Sequence, residues 1–461
     1  MQQEDTIAAV ATPPGVGGVG IVRLSGDEAL VIADRMFRAR NGKRLTEAAP
    51  FSALYGEITD AEGRTIDEAL ALVMKAPRSY TREDVAELQC HGGSLVLRTV
   101  LERALALGAR LAERGEFTKR AFLNGRIDLS EAQAVMEIVG AKTEASLRMA
   151  SGRLSGRFSE KIGGFRDELL SMIAHLEAAI DFPEDDVDEL SVGEVRPRIE
   201  ALRTGIDALL KTARAGRILR DGLRTAILGK PNVGKSSLLN ALLREDRAIV
   251  TDIPGTTRDS IEEYADLGGV PLCVIDTAGI REAEDTVERI GVERARQAAE
   301  GAALVLAVFD GSAPPSAEDR EILSLTRGKD TLFLLNKSDM PSSTGWDTFF
   351  GAAVPDEDIL RISAKTGDGT EALTRAVTRK AFGRDASFDE TQLAADAREA
   401  DVLRRTAASL SGAICTIDDG MSADFVVIDL RDAWETLGKI TGDTVSEEII
   451  DEIFRRFCLG K

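Results

Sequence analysis

The sequence has few of the residues that hold structural metals and no segment that could cross a membrane. Two histidines, His91 and His175, and four scattered cysteines occur in 461 residues, so a zinc site of histidine and cysteine is not expected. No apolar run approaches the roughly 20 residues that span a bilayer. The acidic N-terminus, residues 1–5, lacks the apolar core of a signal peptide. These absences predict a cytoplasmic protein with no membrane contact.

Positive charge is also in short supply. The net charge is −20, which argues against a protein that coats nucleic acid through bulk electrostatics. Two local basic clusters are present nonetheless, one formed by Arg35, Arg38, Arg40, Lys43 and Arg44 and the other by Lys119, Arg120 and Arg126. Such clusters are usually solvated surface, and contact with RNA is the alternative interpretation.

Changes in hydrophobic periodicity divide the chain into four segments. Residues 1–118 mix short strand-like runs with a helix and predict an α/β domain. Residues 119–219 and 383–461 carry apolar side chains at helical spacing and predict one helical domain in two parts. Residues 220–382 alternate apolar strands with helices, which is typical of a doubly wound, mostly parallel sheet. We therefore predict a helical domain that carries an inserted α/β domain.

The predicted strands are short runs rich in valine, isoleucine, leucine and alanine. In the first segment they are Thr6–Ala11, Gly20–Leu24, Ala69–Met74 and Val85–Cys90, followed by a helix over Ser94–Leu107. In the inserted domain they are Thr225–Leu228, Leu272–Ile275, Ala303–Phe309, Leu332–Leu335 and Ile359–Ile362. Motifs with specific chemistry follow the ends of strands in the inserted domain.

The segment from Gly229 to Ser236, Gly-Lys-Pro-Asn-Val-Gly-Lys-Ser, fits the P-loop pattern and connects a predicted strand to a predicted helix. The backbone N–H groups of such a loop cradle phosphate oxygens. We expect Lys235 to reach the β- and γ-phosphates of a nucleotide and the Ser236 hydroxyl to bind Mg²⁺. The predicted contacts of this segment are Asn232, Val233, Gly234, Lys235, Ser236 and Ser237.

Three later motifs follow in the order found in GTP-binding proteins. They are Asp276-Thr277-Ala278-Gly279, Asn336-Lys337-Ser338-Asp339 and Ser363-Ala364-Lys365. The Asp339 carboxylate can accept hydrogen bonds from guanine N1–H and the 2-amino group, a pair of donors that adenine lacks. The predicted nucleotide is therefore GTP, with Asp276 holding Mg²⁺ through water and the Gly279 N–H facing the γ-phosphate.

A threonine between these motifs is needed to close on Mg²⁺ and the γ-phosphate. Thr257 is the first candidate and Thr256 its neighbour, within a polar loop that begins at Thr251. Ras-like GTPases carry a glutamine directly after the Asp-x-x-Gly motif, and Ile280 occupies that position. Two alternatives for hydrolysis remain: a monovalent cation held by Asn232 against the phosphates, or a water molecule oriented by Glu288.

At this point the whole chain resembles the MnmE or TrmE family of bacterial tRNA-modification GTPases. The carrying segments, beyond the motifs of GTPases in general, are 11–15 with 17–23, 80–81 with 83–89 and 91–93, 115–118 with 120–126, Asp181-Phe182-Pro183, Gly255–Asp259 and the terminal Phe457-Cys458-Leu459-Gly460-Lys461. The resemblance implies an α/β plus all-α protein with an N-terminal folate-binding-like domain, a helical domain and an inserted Ras-like G domain. It also implies a homodimer formed through the N-terminal domain.

The resemblance further implies an activity and its partners. With an FAD-containing partner protein, in a heterotetramer or larger assembly, such a GTPase attaches an aminomethyl or carboxymethylaminomethyl group to carbon 5 of the wobble uridine of certain tRNAs. A tetrahydrofolate derivative, in a 5-formyl or methylene form, supplies the one-carbon unit. Potassium activates GTP hydrolysis in this family.

Residue roles carried over from the family fall into three sets. The folate set is Arg23, Glu87, Arg126 and Lys461, with Arg126 standing where the family can carry lysine. The metal set is Ser236 and Thr257 for Mg²⁺ and the side chains of Asn232 and Thr256 with the carbonyls of Thr251 and Ile253 for K⁺. The catalytic set is Lys235, Thr257, Glu288 and Cys458, and packing beside Phe457 is an equal alternative for Cys458.

A second function has the same G-domain signature. An RNA-binding switch GTPase of the ribosome-assembly type would show every nucleotide motif, Asn232 included. It would not need the folate-like N-terminal segments or the tail Phe457–Lys461. Folate binding separates the two hypotheses.

Overall fold

The computed structural model of the chain describes residues 5–181, 192–245, 263–275, 296–383 and 394–461. The described residues group into two compact units. Residues up to 136, 159–166 and 434–461 form the first unit, and residues 137–158 and 167–433 form the second. None of the described helices combines the length and the apolar character that crossing a membrane requires.

The first unit is built on a seven-stranded sheet. Its strands are β1 (Ile7–Val10), β2 (Gly17–Ser25), β3 (Phe37–Ala39), β4 (Ser52–Thr59), β5 (Thr65–Met74), β6 (Val85–Gly92) and β7 (Arg110–Leu111). The strand order is β3-β4-β5-β6-β2-β1-β7, antiparallel throughout except for the parallel pair β1–β7. The four strands predicted for this segment occur with bounds that differ by a few residues, whereas β3, β4 and β7 were not predicted.

Two helices cover one face of this sheet and close its core. They are α1 (Ala29–Met36), which was not predicted, and α2 (Ser94–Ala106), which matches the predicted helix. Alternate residues of β2, among them Val22 and Leu24, are fully buried against Ile32, Met36 and Val100. This alternation leaves the intervening side chains, Arg23 included, on the opposite face of the sheet.

Helices make up most of the described chain between the two sheets and again after the second sheet. They are α3 (Glu116–Leu123), α4 (Leu129–Gly140), α5 (Glu144–Leu154), α6 (Arg157–Asp181), α7 (Val192–Asp221), α12 (Ala397–Asp418), α13 (Ala423–Thr441) and α14 (Glu447–Arg455). α12 packs along α7 although their first residues, Val192 and Ala397, are far apart in the sequence. The two helical stretches therefore pair in space, as expected for a domain with an insertion.

The second sheet has six strands among the described residues, β8 (Leu223–Leu228), β9 (Glu263–Leu267), β10 (Val270–Val274), β11 (Leu304–Asp310), β12 (Thr331–Asn336) and β13 (Ile359–Arg361). Their order is β13-β12-β11-β8-β10-β9, parallel except for the edge strand β9, which runs antiparallel to β10. The helices α8 (Lys235–Glu245), α9 (Ala317–Leu325) and α10 (Trp346–Phe350) lie between strands in the sequence, and α11 (Thr370–Phe382) follows the last strand. This is the predicted doubly wound, mostly parallel sheet.

A buried ion cluster joins the two helical stretches within the second unit. The Arg153 guanidinium on α5 donates to Glu399 on α12 at 2.6 Å and to Glu137 on α4 at 3.1 Å. The exposed fraction of the side chain is 1% for Arg153 and 0% for Glu399. Burial raises the pKa of Glu399, and the charge of Arg153 opposes that shift. The arginine therefore offsets much of the free-energy cost of burying the two carboxylates.

Replacing Arg153 by methionine is expected to destabilise the chain by about 3 kcal/mol or more, because it removes the nearest cation from two buried carboxylates whose other arginine partners, Arg220 and Arg398, lie 3.9 Å away. Urea unfolding followed by circular dichroism measures the change. Arg375→Met, which breaks the surface pair with Glu371 at 73% and 94% exposure, is the control and should leave the midpoint unchanged. Equal midpoints for Arg153→Met and Arg375→Met would contradict the assigned role of the cluster.

Candidate functional site

The P-loop lies between β8 and α8, as its motif requires. Asn232 adopts a left-handed backbone with φ of 64°, a conformation that non-glycine residues rarely take and that functional loops often hold. Gly234 also has a positive φ, and a Cβ at that position would collide with the side-chain amide of Asn336. The close approach of Asn336 therefore requires glycine at position 234. The first turn of α8 begins at Lys235 and presents Ser236 and Ser237, both exposed.

The Lys235 ammonium folds back over the P-loop. It donates to the carbonyl oxygens of Gly229 and Lys230, each at 2.8 Å. Burial lowers the pKa of Lys235 from its ordinary value, because desolvation disfavours the charged ammonium and none of the described residues supplies an anion that offsets it. A phosphate group would supply that anion, so this lysine is poised for the contact predicted from the motif.

Asn336 connects the P-loop to both base-recognition motifs. Its amide nitrogen donates to the Val233 carbonyl at 2.8 Å, and its amide oxygen accepts from the Ala364 N–H at 2.9 Å. The residue is buried at the end of β12. One side chain thus sets the spacing between the loop for phosphate and the two loops for the base.

The base-reading carboxylate is held in position by a second hydrogen bond. The buried Ser363 hydroxyl donates to Asp339 Oδ1 at 2.8 Å, while Asp339 itself is exposed. Lys337 has a φ of 67° and its ammonium pairs with Asp310 at 2.6 Å. Lys365 is exposed. The predicted residues Asn336, Lys337, Asp339, Ser363, Ala364 and Lys365 therefore cluster at the ends of β12 and β13, on the side of the P-loop.

Several residues predicted for this site lie outside the described residues. They are Thr251, Ile253, Thr256, Thr257, Asp276, Thr277, Ala278, Gly279 and Glu288. Of the predicted metal ligands, Asn232 and Ser236 are described, and both side chains are exposed at the P-loop. A hydroxyl at the start of α8 and a carboxamide oxygen in the loop are the oxygen donors that Mg²⁺ and K⁺ accept. The described part of the site thus fits both cations.

A second constellation lies on the face of the N-terminal sheet opposite α1 and α2, where Phe117 of α3 also packs. Arg23 on β2 and Glu87 on β6 are register partners, and Arg23 Nε donates to Glu87 Oε1 at 2.8 Å. Both side chains are mostly shielded, with exposed fractions of 18% and 12%. The pair is charge-assisted and fixed by the strand register rather than by flexible loops.

Tyr80, which was not predicted as a site residue, holds two arginines of this constellation. The Arg23 guanidinium lies 5.3 Å from the centre of its ring and that of Arg126 lies 4.6 Å from it. Arg126 also donates to the Tyr80 carbonyl at 3.0 Å, and the Tyr80 hydroxyl contacts Thr118 at 3.0 Å. Cations over an aromatic face attract it electrostatically. Apart from its place in a segment shared with the family, nothing in the sequence marks Tyr80 as a residue that orients two arginines.

The C-terminal tail returns to the same constellation. The Gly115 N–H donates to the Cys458 carbonyl at 3.3 Å, and Phe457 is buried against Phe454 with ring centres 4.9 Å apart. Gly460 has a φ of 84° and lies so close to Val10 that a Cβ there would collide with the Val10 carbonyl. The tail is therefore seated, by glycine and by phenylalanine, against β1 and α3.

Seating the tail brings Lys461 near Arg23. Burial lowers the pKa of Lys461, and the positive charge of Arg23 lowers it further. Cys458 is half-buried. The four side chains predicted for folate, Arg23, Glu87, Arg126 and Lys461, therefore lie in one region that is rich in cations and contains one carboxylate.

One basic cluster of the sequence has an internal role. Arg120 is 4% exposed and pairs with Asp5, Glu83 and Glu116, at distances of 2.7, 3.2 and 3.1 Å. Lys119 pairs with Asp451 at 2.6 Å. The expectation that this cluster is solvated surface or RNA contact is wrong for Arg120, because its side chain is buried and its charge is neutralised by three carboxylates of the first unit. In the other cluster, all five basic side chains are exposed.

Comparison with known proteins identifies two family segments. The helical domain of MnmE matches residues 129–458, and the N-terminus of the GTP-binding protein TrmE matches residues 6–126. A crystal structure of Era in complex with MgGDPNP and a 16S ribosomal RNA segment covers 40% of this chain and 65% of that chain, at 25% identity and a TM-score of 0.26.

Full-length relatives have the same family name. The tRNA modification GTPase MnmE of Geobacillus thermodenitrificans is 48% identical over 463 residues, which cover 100% of both chains. That of Heliobacterium modesticaldum is 48% identical and covers 99% of each chain. With matched segments across both sheets and all helical stretches, this chain belongs to the MnmE family of tRNA modification GTPases.

Proposed function

We propose that this chain hydrolyses GTP and that this hydrolysis serves the modification of tRNA. The observation that carries the proposal is the bridge made by Asn336, which holds a P-loop and two guanine-reading loops together in one site. Membership of the family of tRNA modification GTPases supplies the substrate class. In finer detail, the modified position is carbon 5 of the wobble uridine, and an FAD-containing partner protein acts together with a homodimer of this chain. The family resemblance supports these details.

The described residues divide the work at the nucleotide as follows. Backbone N–H groups of the P-loop and the ammonium of Lys235 bind the phosphates and neutralise charge that develops on them. Asp339, held by Ser363, and a backbone N–H of the Ser363-Ala364-Lys365 loop, which Asn336 positions through Ala364, select guanine. Ser236, with Thr257, would hold Mg²⁺, which would supply positive charge that stabilises the phosphates of the nucleotide. Glu288 is proposed to orient the attacking water in place of the missing glutamine.

A monovalent cation is the proposed source of the charge that an arginine finger provides elsewhere. Asn232 would hold it, with Thr256 and the carbonyls of Thr251 and Ile253. Support comes from the place of Asn232 in the P-loop, where a left-handed backbone carries an exposed carboxamide side chain. The carboxamide oxygen is a donor suited to K⁺, whereas an apolar side chain is not.

Potassium is expected to raise the rate of GTP hydrolysis well above the rate in sodium. Asn232→Ala should abolish most of this difference, roughly tenfold or more in kcat, while GDP affinity changes little. Phosphate release measured in K⁺ and Na⁺ buffers of equal ionic strength gives the comparison. Asn240→Ala, on the exposed side of α8, is the control. Equal rates in the two salts for the unaltered chain would exclude a cation mechanism.

The constellation of Arg23, Glu87, Arg126 and Lys461 is the proposed folate site. A pterin presents adjacent hydrogen-bond donors, which suit the carboxylate of Glu87, and a glutamate tail suits the cations. The contacts of Tyr80 with Arg23 and Arg126 support the proposal, because they orient both guanidinium groups before any ligand arrives. Cys458, seated with the tail, would act in the modification chemistry. A bound tetrahydrofolate derivative supplies the one-carbon unit.

Glu87→Gln is expected to weaken binding of 5-formyltetrahydrofolate by roughly tenfold or more, because it removes the acceptor charge and loosens Arg23. Isothermal titration calorimetry with the full chain measures the affinity. Glu68→Gln, which alters an exposed pair with Arg40 on the same sheet, serves as the matched control. Full affinity in Glu87→Gln would remove this carboxylate from the site, and absence of binding by the unaltered chain would remove the folate proposal.

Cells that lack this chain should lose a carbon-5 aminomethyl-type uridine from bulk tRNA. The unaltered chain should restore it, and Lys235→Ala should not, since that lysine is needed to bind the phosphates of GTP. Mass analysis of tRNA nucleosides measures the outcome. Restoration by Lys235→Ala would separate modification from GTP, and an unchanged profile without the chain would favour the ribosome-assembly type of switch.

A further inference from the structure

The lysine that follows the first glycine of the P-loop has a partner outside the loop. Lys230 Nζ donates to Asp319 Oδ2 at 2.8 Å and to the Ser316 hydroxyl at 3.1 Å. The exposed fraction of the side chain is 18% for Lys230 and 1% for Asp319. The P-loop motif leaves this position open, so the pattern alone assigned no role to Lys230.

Asp319 has two tasks at the start of α9. With Ser316 it forms a capping box, in which the Ser316 N–H donates to Asp319 Oδ2 at 2.9 Å. Its other oxygen, Oδ1, is buried and has no hydrogen-bond partner in the described part of the chain. Lys230 is thus the cation that compensates this buried carboxylate, and the pair cannot be opened without stranding a charge.

The backbone of Lys230 connects this pair to the phosphate-binding groups. The Lys230 carbonyl accepts from Lys235 Nζ at 2.8 Å. Pro231 follows; its ring fixes its own φ and disfavours a helical backbone at Lys230, so the loop between Lys230 and the next residue has few conformations open to it. Asn232, with its left-handed backbone, follows Pro231. The first half of the loop is therefore tied to α9, while its second half is tied to β12 through Val233 and Asn336.

We propose that the Lys230–Asp319 ion pair positions the P-loop and thereby sets how long a guanine nucleotide stays bound. The inference rests on the proposed GTP-binding function and adds a positioning pair to it. Neither side chain needs to touch the nucleotide. When the pair is broken, the first half of the loop loses its attachment to α9. The backbone N–H groups of the loop are then no longer held in one orientation, so their hydrogen bonds to the phosphates break more often.

The test measures the release rate of fluorescent mant-GDP from the full chain and, separately, its melting temperature. Lys230→Met should release mant-GDP roughly tenfold faster, and Lys230→Arg, which keeps the charge, should stay within about threefold of the unaltered chain. Lys380→Met is the matched control. Lys380 makes a 2.8 Å pair with Asp358 of similar burial, 20% and 9% exposed, on α11 and away from the P-loop.

A double variant separates positioning from stability. Lys230→Met with Asp319→Asn removes the stranded charge, so the melting temperature should recover toward that of the unaltered chain while release of mant-GDP remains fast. Recovery of both quantities together, or an equal acceleration in Lys380→Met, would overturn the proposal. Failure of the unaltered chain to bind mant-GDP would instead remove the proposed GTP function.

Discussion

The nucleotide site depends on one buried carboxamide. Asn336 lies at the end of β12 and makes hydrogen bonds to the carbonyl of Val233 and the N–H of Ala364, which belong to two other loops. Without these hydrogen bonds each loop would adopt many conformations, because a surface loop has few neighbours to pack against. Asn336 in turn requires glycine at position 234, because a Cβ there would collide with its side-chain amide. The spacing between phosphate and base recognition is therefore fixed before a nucleotide binds, which reduces the ordering cost of binding.

The N-terminal constellation is fixed in a different way, by strand register and by the return of the chain end. Arg23 and Glu87 meet because β2 and β6 pair in one register, and a slip of either strand by one residue would turn its own side chain to the other face. The tail reaches the same place through buried Phe457 and the close approach of Gly460 to Val10. Lys461 thereby joins residues from the other end of the sequence, at the cost of a lowered pKa.

Sequence patterns predicted the parts of this molecule that rest on local signals. Apolar runs predicted the central strands of both sheets, and the motifs after β8, β12 and β13 predicted the guanine site. β4 was missed because its alternation includes Ala53, Tyr55 and Gly56, so too few apolar residues mark it. Tyr80 and the pair Lys230–Asp319 were missed because their partners are distant in sequence: 89 residues separate Lys230 from Asp319. Arg120 was misjudged for the same reason, since its partner Asp5 lies 115 residues away.

These distant pairs share a physical logic that follows from the acidic composition. In a chain with a net charge of −20, carboxylates outnumber cations, so a buried arginine or lysine readily finds a carboxylate partner. Arg153 on α5 is an example, since its partner Glu399 lies 246 residues away in the sequence. A buried pair adds little net stability over an apolar packing of equal volume, because desolvation offsets most of the attraction. Its larger effect is to make wrong arrangements costly, since each would strand a charge. The helical stretches on either side of the inserted sheet are thus brought together in one arrangement, which apolar packing alone would specify less sharply.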